Sequence, residues 1–203
     1  MQVPQRLFSK LIKPLWFIGL SLPAVWLAAG LLRDSLGAEP VDVLINSSGE
    51  WSLRLLLLTL LISTLQRTLH WPQLGQLRRM TGLFTFFYAA AHLTIYAVLD
   101  YSLDIIAIVN DIIDRPFIAV GAATFSVLLA LAITSPLKIR RKMKRLWKKL
   151  HNAIYLAVIL AVIHFWWLVK SDITEPLLYA AVAALLLGER LWRFTLSKRT
   201  VTK

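Results

Sequence analysis

The sequence predicts an all-α polytopic membrane protein, a bundle of six transmembrane helices with both termini in the cytoplasm. The 203-residue chain is 58% apolar and only 17% charged, whereas about a quarter of the residues in a soluble domain are charged. Six apolar segments approach the roughly 20 residues that a helix needs to cross a bilayer. Basic residues cluster between these segments, at alternate ends of successive helices.

The six predicted helices span residues 13–32, 50–68, 80–99, 116–135, 151–169 and 175–193. The first resembles a signal peptide, but no small-residue cleavage site clearly follows its apolar run before Arg33, so we predict a retained span. Pro116 opens the fourth helix, where a missing N–H costs little. No internal repeat, low-complexity run or appended soluble domain is visible, and residues 1–203 are therefore predicted to form one domain.

The charge distribution predicts the orientation of the bundle. With the N-terminus in the cytoplasm, the cytoplasmic side holds 19 of the 23 Lys and Arg residues. The opposite side holds ten of the eleven acids, all but Glu189. This is the positive-inside pattern of membrane proteins. Because the basic residues lie at helix ends on one side, the net charge of +12 indicates contact with the lipid bilayer rather than with nucleic acid.

The segment from Lys138 to Lys149 contains eight basic residues and no acid. We interpret it first as a topology signal that contacts anionic lipid. The alternative is a docking surface for a cytoplasmic electron donor or for an anionic flavin phosphate.

Two histidines are predicted to lie at the same depth in the membrane. His92 follows the inner end of the third helix by about 18 Å, and His164 lies about 20 Å from the inner end of the fifth helix. Both helices run in the same direction, so the two imidazoles can meet in the outer half of the bilayer. Ionisable groups inside a membrane segment indicate a functional site.

A haem b held by two axial histidines is the cofactor that this pair predicts. Copper, zinc and a hydrogen bond between helices are the alternatives, although zinc usually takes three or four protein ligands. The chain contains no cysteine, which excludes thiolate metal sites, iron–sulfur clusters and covalent c-type haem.

His151 is predicted to form a separate site at the inner rim. In a continuous helix it would point about 220° away from His164. It could hold a second haem with one protein ligand, contact a quinone, or cap the helix. Arg78 and Arg79 lie at the start of the third helix, at the same level as His151. They either contribute to the positive-inside signal or bind a haem propionate or a flavin phosphate. Met80 is a conceivable iron ligand but is predicted to face lipid or the core, and His70 is predicted to be an interfacial loop residue.

The chain resembles the MsrQ (YedZ) family in three stretches: RRMTGLFTFFYAAAHLTIY, RPFIAVGAATFSVLLALAITS and WKKLHNAIYLAVILAVIHFWW. The resemblance continues through GAEPVDVLINSSGEWSLRLLLLTLLISTLQR and covers nearly the whole chain. The family comprises haem-binding membrane subunits of a methionine-sulfoxide reductase system and belongs to the ferric-reductase-like transmembrane domains.

This resemblance implies a location in the bacterial inner membrane and an electron-transfer role. Electrons would come from the quinol pool or from a cytoplasmic flavin reductase. They would pass through haem b to MsrP, a periplasmic molybdopterin enzyme that reduces methionine sulfoxide in oxidised proteins, so the reductase active site would lie in that partner.

The same resemblance extends to cofactors and their ligands. FMN is attributed to the family, and His92, His151 and His164 match its histidines. NADPH oxidases of the wider group carry a further histidine where Arg78 stands here, so the resemblance leaves open whether one or two haems bind.

Two other functions compete with electron transfer. A small transporter would need acids or broken helices along a substrate path, and the sequence places no acid at mid-membrane depth. A structural anchor for a periplasmic enzyme would not need histidines at matched depth.

Overall fold

The computed structural model describes residues 4–169 and 172–201. Within these ranges the chain is helical and has no β-strand, which confirms the predicted class. The α-helices of this part, labelled α1–α10 in chain order, are Gln5–Leu7, Lys13–Leu32, Pro40–Thr68, Leu74–Ile95, Ile105–Asp114, Pro116–Ile133, Leu137–Met143, Arg145–His151, Ile154–Leu168 and Thr174–Val201. Two π-helical segments, Phe8–Ile12 and Tyr96–Asp100, precede α2 and follow α4.

Five helical stretches in the described ranges are long and apolar enough to cross a membrane. They are Gln5–Leu32, Pro40–Thr68, Leu74–Asp100, Pro116–Ile133 and Arg145–Leu168. The sixth predicted segment also forms a helix, α10, but Glu175, Glu189 and Arg190 bound its apolar part and it is not among the five. The six-span count and the cytoplasmic termini therefore stay predictions.

The two ends of the bundle differ in charge. One end is formed by the start of α4 together with α7 and α8, and we call it the basic end. Its residues include Arg78, Arg79 and the segment 138–149. At the other end α4 and α9 finish and α6 begins, and we call it the acidic end. Its residues include Asp34, Asp100, Asp111 and Asp172.

Helix α3 is longer than predicted, because it begins at Pro40 instead of at residue 50. A polar stretch around Ser48 interrupts the apolar pattern and reads as a loop in the sequence. Within the helix the Ser48 hydroxyl donates to the Leu44 carbonyl at 2.6 Å, so the polar group is satisfied without ending the helix. Glu50 and Arg54, which lie at the start of the predicted segment 50–68, are therefore in the interior of α3.

The connection between α4 and α6 contains a helix, α5, that lies between the third and fourth predicted segments. Asp104 caps α5 by accepting a hydrogen bond from the Ala107 N–H at 3.0 Å. Asp111 accepts a bond from the Tyr96 hydroxyl at 2.6 Å and pairs with Arg115. Desolvation raises the pKa of Asp111, but these hydrogen bonds outweigh it and leave the pKa below its usual value. Helix α5 is thereby tied to the acidic end.

The fifth predicted helix is divided in two. His151 is the last residue of α8, and α9 begins at Ile154. In the short connection the Ala153 N–H donates to the Leu150 carbonyl at 2.9 Å, a tighter bond pattern than that of an α-helix. The rotation of about 220° expected between His151 and His164 for a continuous helix therefore does not apply.

Helix α3 forms the centre of the packing. Leu56 and Leu60 are each 1% exposed, and they pack with Leu128 of α6, Val158 of α9 and Ala183 of α10. Burial on several sides is typical of a central helix. Large apolar side chains on α2 and α10 remain exposed, as expected of a surface that faces lipid.

Tyr88 joins α4 to α2 through its hydroxyl. The side chain is 1% exposed. Its hydroxyl donates to the Leu20 carbonyl at 2.8 Å and accepts from the Ala24 N–H at 3.0 Å. We predict that Tyr88→Phe destabilises the protein by about 1 kcal/mol, because both main-chain groups lose a partner in an apolar surrounding.

Thermal unfolding of the detergent-solubilised protein measures this effect. Thr94→Val is the control, since the exposed Thr94 hydroxyl bonds within its own helix, to the Ala90 carbonyl at 2.8 Å. A Tyr88→Phe protein that melts with the wild type and the control would contradict the assignment.

Candidate functional site

The structure divides the predicted cofactor residues into two groups. His92 and His164 lie close to the C-terminal ends of α4 and α9, toward the acidic end. Their ring centres are 6.3 Å apart and their planes are inclined by 82°. His151, Arg78 and Arg79 instead line a cavity at the basic end.

Each imidazole of the outer pair is held by a carbonyl of a neighbouring helix. His92 Nδ1 lies 2.9 Å from the Ile45 carbonyl oxygen of α3, and His164 Nδ1 lies 2.6 Å from the Phe117 carbonyl oxygen of α6. A carbonyl can only accept, so Nδ1 is the protonated nitrogen of each neutral ring. This leaves the lone pair on Nε2, the atom that can bind a metal.

The spacing of the two rings fits a metal ion held from both sides. A nitrogen–metal bond is about 2 Å long and the ring centre lies roughly 1.1 Å behind the nitrogen, so centres about 6 Å apart are expected. The described residues contain no group of three or more His, Cys, Asp or Glu side chains that could hold a metal. Two histidines alone suit an iron whose other ligands come from a porphyrin better than they suit zinc.

The basic end contains a cavity of about 1000 Å³. Its described lining has eight basic side chains and no carboxylate. The basic residues are Arg67, Arg78, Arg79, Arg140, Arg141, Lys144, Lys148 and Arg190. Tyr155 and Trp147 add aromatic surface, and several leucines supply an apolar wall. A concave site of this composition suits an amphiphilic anion.

His151 is oriented by Trp147 in this cavity. The rings stack with centres 3.8 Å apart, and His151 Nδ1 lies 3.2 Å from the Trp147 carbonyl oxygen. The indole N–H of Trp147 in turn donates to the Thr134 carbonyl at 2.9 Å, and Arg140 lies over the indole at 4.7 Å. The cavity lining holds no second histidine, and Arg78 and Arg79 occupy the facing part of α4.

The two remaining candidates are not part of either site. Met80 packs with the buried cluster of Leu20, Leu55 and Tyr88, as predicted for a core residue. His70 lies in the turn after α3, with a positive φ of 50°.

Sequence reasoning missed several groups that shape the two sites. The Ile45 and Phe117 carbonyls are main-chain atoms and carry no sequence signal. Arg190 reaches the cavity from α10 and donates to the Leu60 carbonyl at 3.0 Å. Glu189 is the one acid on the basic side. It pairs with Arg67 at 3.0 Å and with Arg193. Its position among basic residues is the sequence signal for these ion pairs.

A helical membrane bundle with paired histidines on two parallel helices defines the class of ferric-reductase-like transmembrane proteins. The family described as "Ferric reductase like transmembrane component" matches residues 48–162, which include His92 and His151 and end two residues before His164. No solved structure matches the chain.

Curated relatives narrow the class to one family, and the chain belongs to the MsrQ family. It is 45% identical to "Protein-methionine-sulfoxide reductase heme-binding subunit MsrQ" of Xanthomonas campestris pv. campestris (strain B100), over 84% of this chain and 78% of that protein. The protein of the same name from Bordetella pertussis is 45% identical over 90% of this chain and 91% of its own. That of Xanthomonas euvesicatoria is 43% identical over 95% and 87%.

Chemical cross-linking tests the two-group arrangement without any cofactor. The chain has no cysteine, so pairs of introduced cysteines report only on their own positions. We predict that His92→Cys/His164→Cys reacts intramolecularly with dibromobimane, which fluoresces fully when both of its arms are bound, because the two positions face each other.

The control is His92→Cys/His151→Cys, whose positions lie toward opposite ends of the bundle. Both proteins should take up the same amount of a monofunctional thiol reagent. Equal bimane cross-linking in the two proteins would contradict the arrangement.

Proposed function

We propose that the chain is a haem-binding electron-transfer subunit that holds haem b between His92 and His164. The observation that carries this proposal is the outer pair itself: two imidazoles 6.3 Å apart, each with Nδ1 tied to a carbonyl. The names of the relatives, which are heme-binding subunits, support it independently.

Bound haem supplies a one-electron iron couple. The protein holds the haem and adjusts its reduction potential. The Ile45 and Phe117 carbonyls accept hydrogen bonds from the Nδ1–H groups, which orients the rings and makes them more basic ligands. More basic ligands favour ferric iron and lower the reduction potential. The surrounding apolar helices insulate the site from water.

We further propose that the acidic end faces the periplasm and passes electrons to MsrP, the molybdopterin subunit that reduces methionine sulfoxide. The relatives are named as subunits of such a reductase, which implies a catalytic partner. The positive-inside pattern supports this orientation, the bacterial inner membrane and cytoplasmic termini. On this proposal residues 1–203 form one transmembrane domain and reduction of the substrate takes place in the partner.

The donor side of the proposal is the cavity at the basic end. Electrons would enter there from the quinol pool or from a cytoplasmic flavin reductase. The cavity's charge suits FMN, with its phosphate on Arg78 and Arg79, or a second haem, with His151 as protein ligand and its propionates on the same arginines.

The structure gives the competing functions little support. A transporter needs acids or a broken helix along its path. The break between α8 and α9 lies at the basic end, and Glu50, although it lies inside α3, is paired with Arg54 at 2.7 Å. Arg54 also donates to the Tyr179 hydroxyl at 2.8 Å. A structural anchor would not require two imidazoles held in one tautomer.

The first test is the visible spectrum of protein purified after haem-sufficient expression. We predict a haem b spectrum in the wild type and loss of the outer haem in His92→Ala and in His164→Ala, because one imidazole cannot replace the pair. His70→Ala, in the turn after α3, is the control and should keep full haem. Absence of a Soret band from the wild type, or full haem content in either variant, would refute the proposal.

The second test identifies the occupant of the basic cavity. We predict that Arg78→Gln/Arg79→Gln weakens binding of FMN by about tenfold or more, because charge-assisted hydrogen bonds to the phosphate are lost. Quenching of flavin fluorescence measures the affinity. Arg145→Gln is the control, since this residue also lies at the basic end but does not line the cavity.

Equal affinities of the double variant and the control would rule out FMN at these arginines. The haem-to-protein ratio of His151→Ala tests for the second haem. A ratio of two in the wild type that falls to one in the variant indicates a second haem bound by His151, and an unchanged ratio excludes it.

A further inference from the structure

The carbonyls that hold the outer pair belong to helix interiors. Such a carbonyl already accepts the N–H of the residue four positions later. Side chains on a helix lean toward its N-terminus, so the side chain at that later position normally stands over the carbonyl. A side chain from another helix can reach the oxygen only where this cover is missing.

Glycine stands at the covering position in both cases. Gly49 follows Ile45 by four residues, and Gly121 follows Phe117 by four residues. A Cβ added to Gly49 would lie 3.1 Å from both Cε1 and Nδ1 of His92. At Gly121 the added Cβ would be 2.7 Å from His164 Cε1 and 2.9 Å from Nδ1, which is shorter than van der Waals contact.

The arrangement occurs twice with the same spacing. The carbonyl residue precedes its histidine by 47 positions in both sites. One copy is built by the helix pair α3 and α4, and the other by α6 and α9, which run in the same order and direction. The sequence shows no repeat because little more than the glycine and histidine positions recurs.

We propose that Gly49 and Gly121 are positioning residues for the two histidines. By leaving their helix surfaces open, they let each Nδ1–H bind a carbonyl, which sets the tautomer, the ring orientation and the basicity of Nε2. The expected change in reduction potential rests on the proposed haem site. The tautomer of each histidine does not, because it can be measured on protein without haem.

The test compares Gly121→Ala and Gly49→Ala with Gly82→Ala. A Cβ at Gly82 of α4 meets Thr59 at 3.7 Å, an ordinary contact, so this variant controls for adding a methyl group inside the bundle in haem-free protein. Because Gly82 lines the basic cavity, Gly19→Ala of α2, whose added Cβ meets nothing within 4 Å, is the control for the redox titration. Redox titration should show a higher midpoint potential in the first two variants, because a weaker Nδ1–H bond makes the ligand less basic. Gly121→Ala should change the potential more than Gly49→Ala, since its contact is closer.

The tautomer is measured on haem-free protein by ¹⁵N NMR with labelled histidine. We expect the Nδ1–H form for His92 and His164 in the wild type and in Gly82→Ala. Mixed tautomers are expected in Gly121→Ala for His164 and in Gly49→Ala for His92. If Gly121→Ala does not assemble, Gly49→Ala, with its longer contact, decides the matter.

Wild-type potentials and wild-type tautomers in both variants would overturn the proposal. Haem-free wild-type protein would end the proposed function instead, and the NMR comparison would still test the glycines. Reduced haem content in the two variants, with helix content and monodispersity equal to those of Gly82→Ala, supports the inference.

Discussion

An imidazole inside an apolar bundle must satisfy both of its nitrogens without water. An unpaired polar atom in such a place costs free energy comparable to a lost hydrogen bond. For His92 and His164 the first nitrogen meets a main-chain carbonyl, and the second becomes a metal ligand in the proposed site. The carbonyl bond therefore decides which nitrogen is available. Helices α3 and α6 lie beside α4 and α9 and supply the two carbonyls.

The basic end of the bundle concentrates positive charge in one cavity. Eight basic side chains line this cavity, and the described lining contains no acid; Glu189, outside the lining, pairs with one of the eight, Arg67. Mutual repulsion of guanidinium groups is relieved by an anion, whether a phosphate or a carboxylate. A histidine pair at one end and a strongly basic cavity at the other give the proposed function two chemically different candidate sites. Helices α8 and α9 connect them, and in the proposed function electrons follow this direction.

The level of the histidines was predictable because helical rise converts residue counts into distances. Charge asymmetry likewise predicted which loops share a side. Other features depend on tertiary structure. The start of α3 at Pro40 depends on a serine that bonds back to its own helix, and the break before Ile154 depends on two residues in tight turns. The carbonyls of Ile45 and Phe117 are invisible in a sequence, so the roles of Gly49 and Gly121 become apparent only in three dimensions.

Nitrogen hyperfine spectroscopy of the ferric protein tests the central claim most directly. Protein labelled with ¹⁵N only in histidine should show two strongly coupled imidazole nitrogens on one low-spin iron. Replacing either His92 or His164 should remove both couplings, because the haem between them is lost, whereas replacing His70 should leave both. A wild-type spectrum with one coupled histidine, or two couplings that survive the loss of His92 or His164, would show that these two residues do not share an iron.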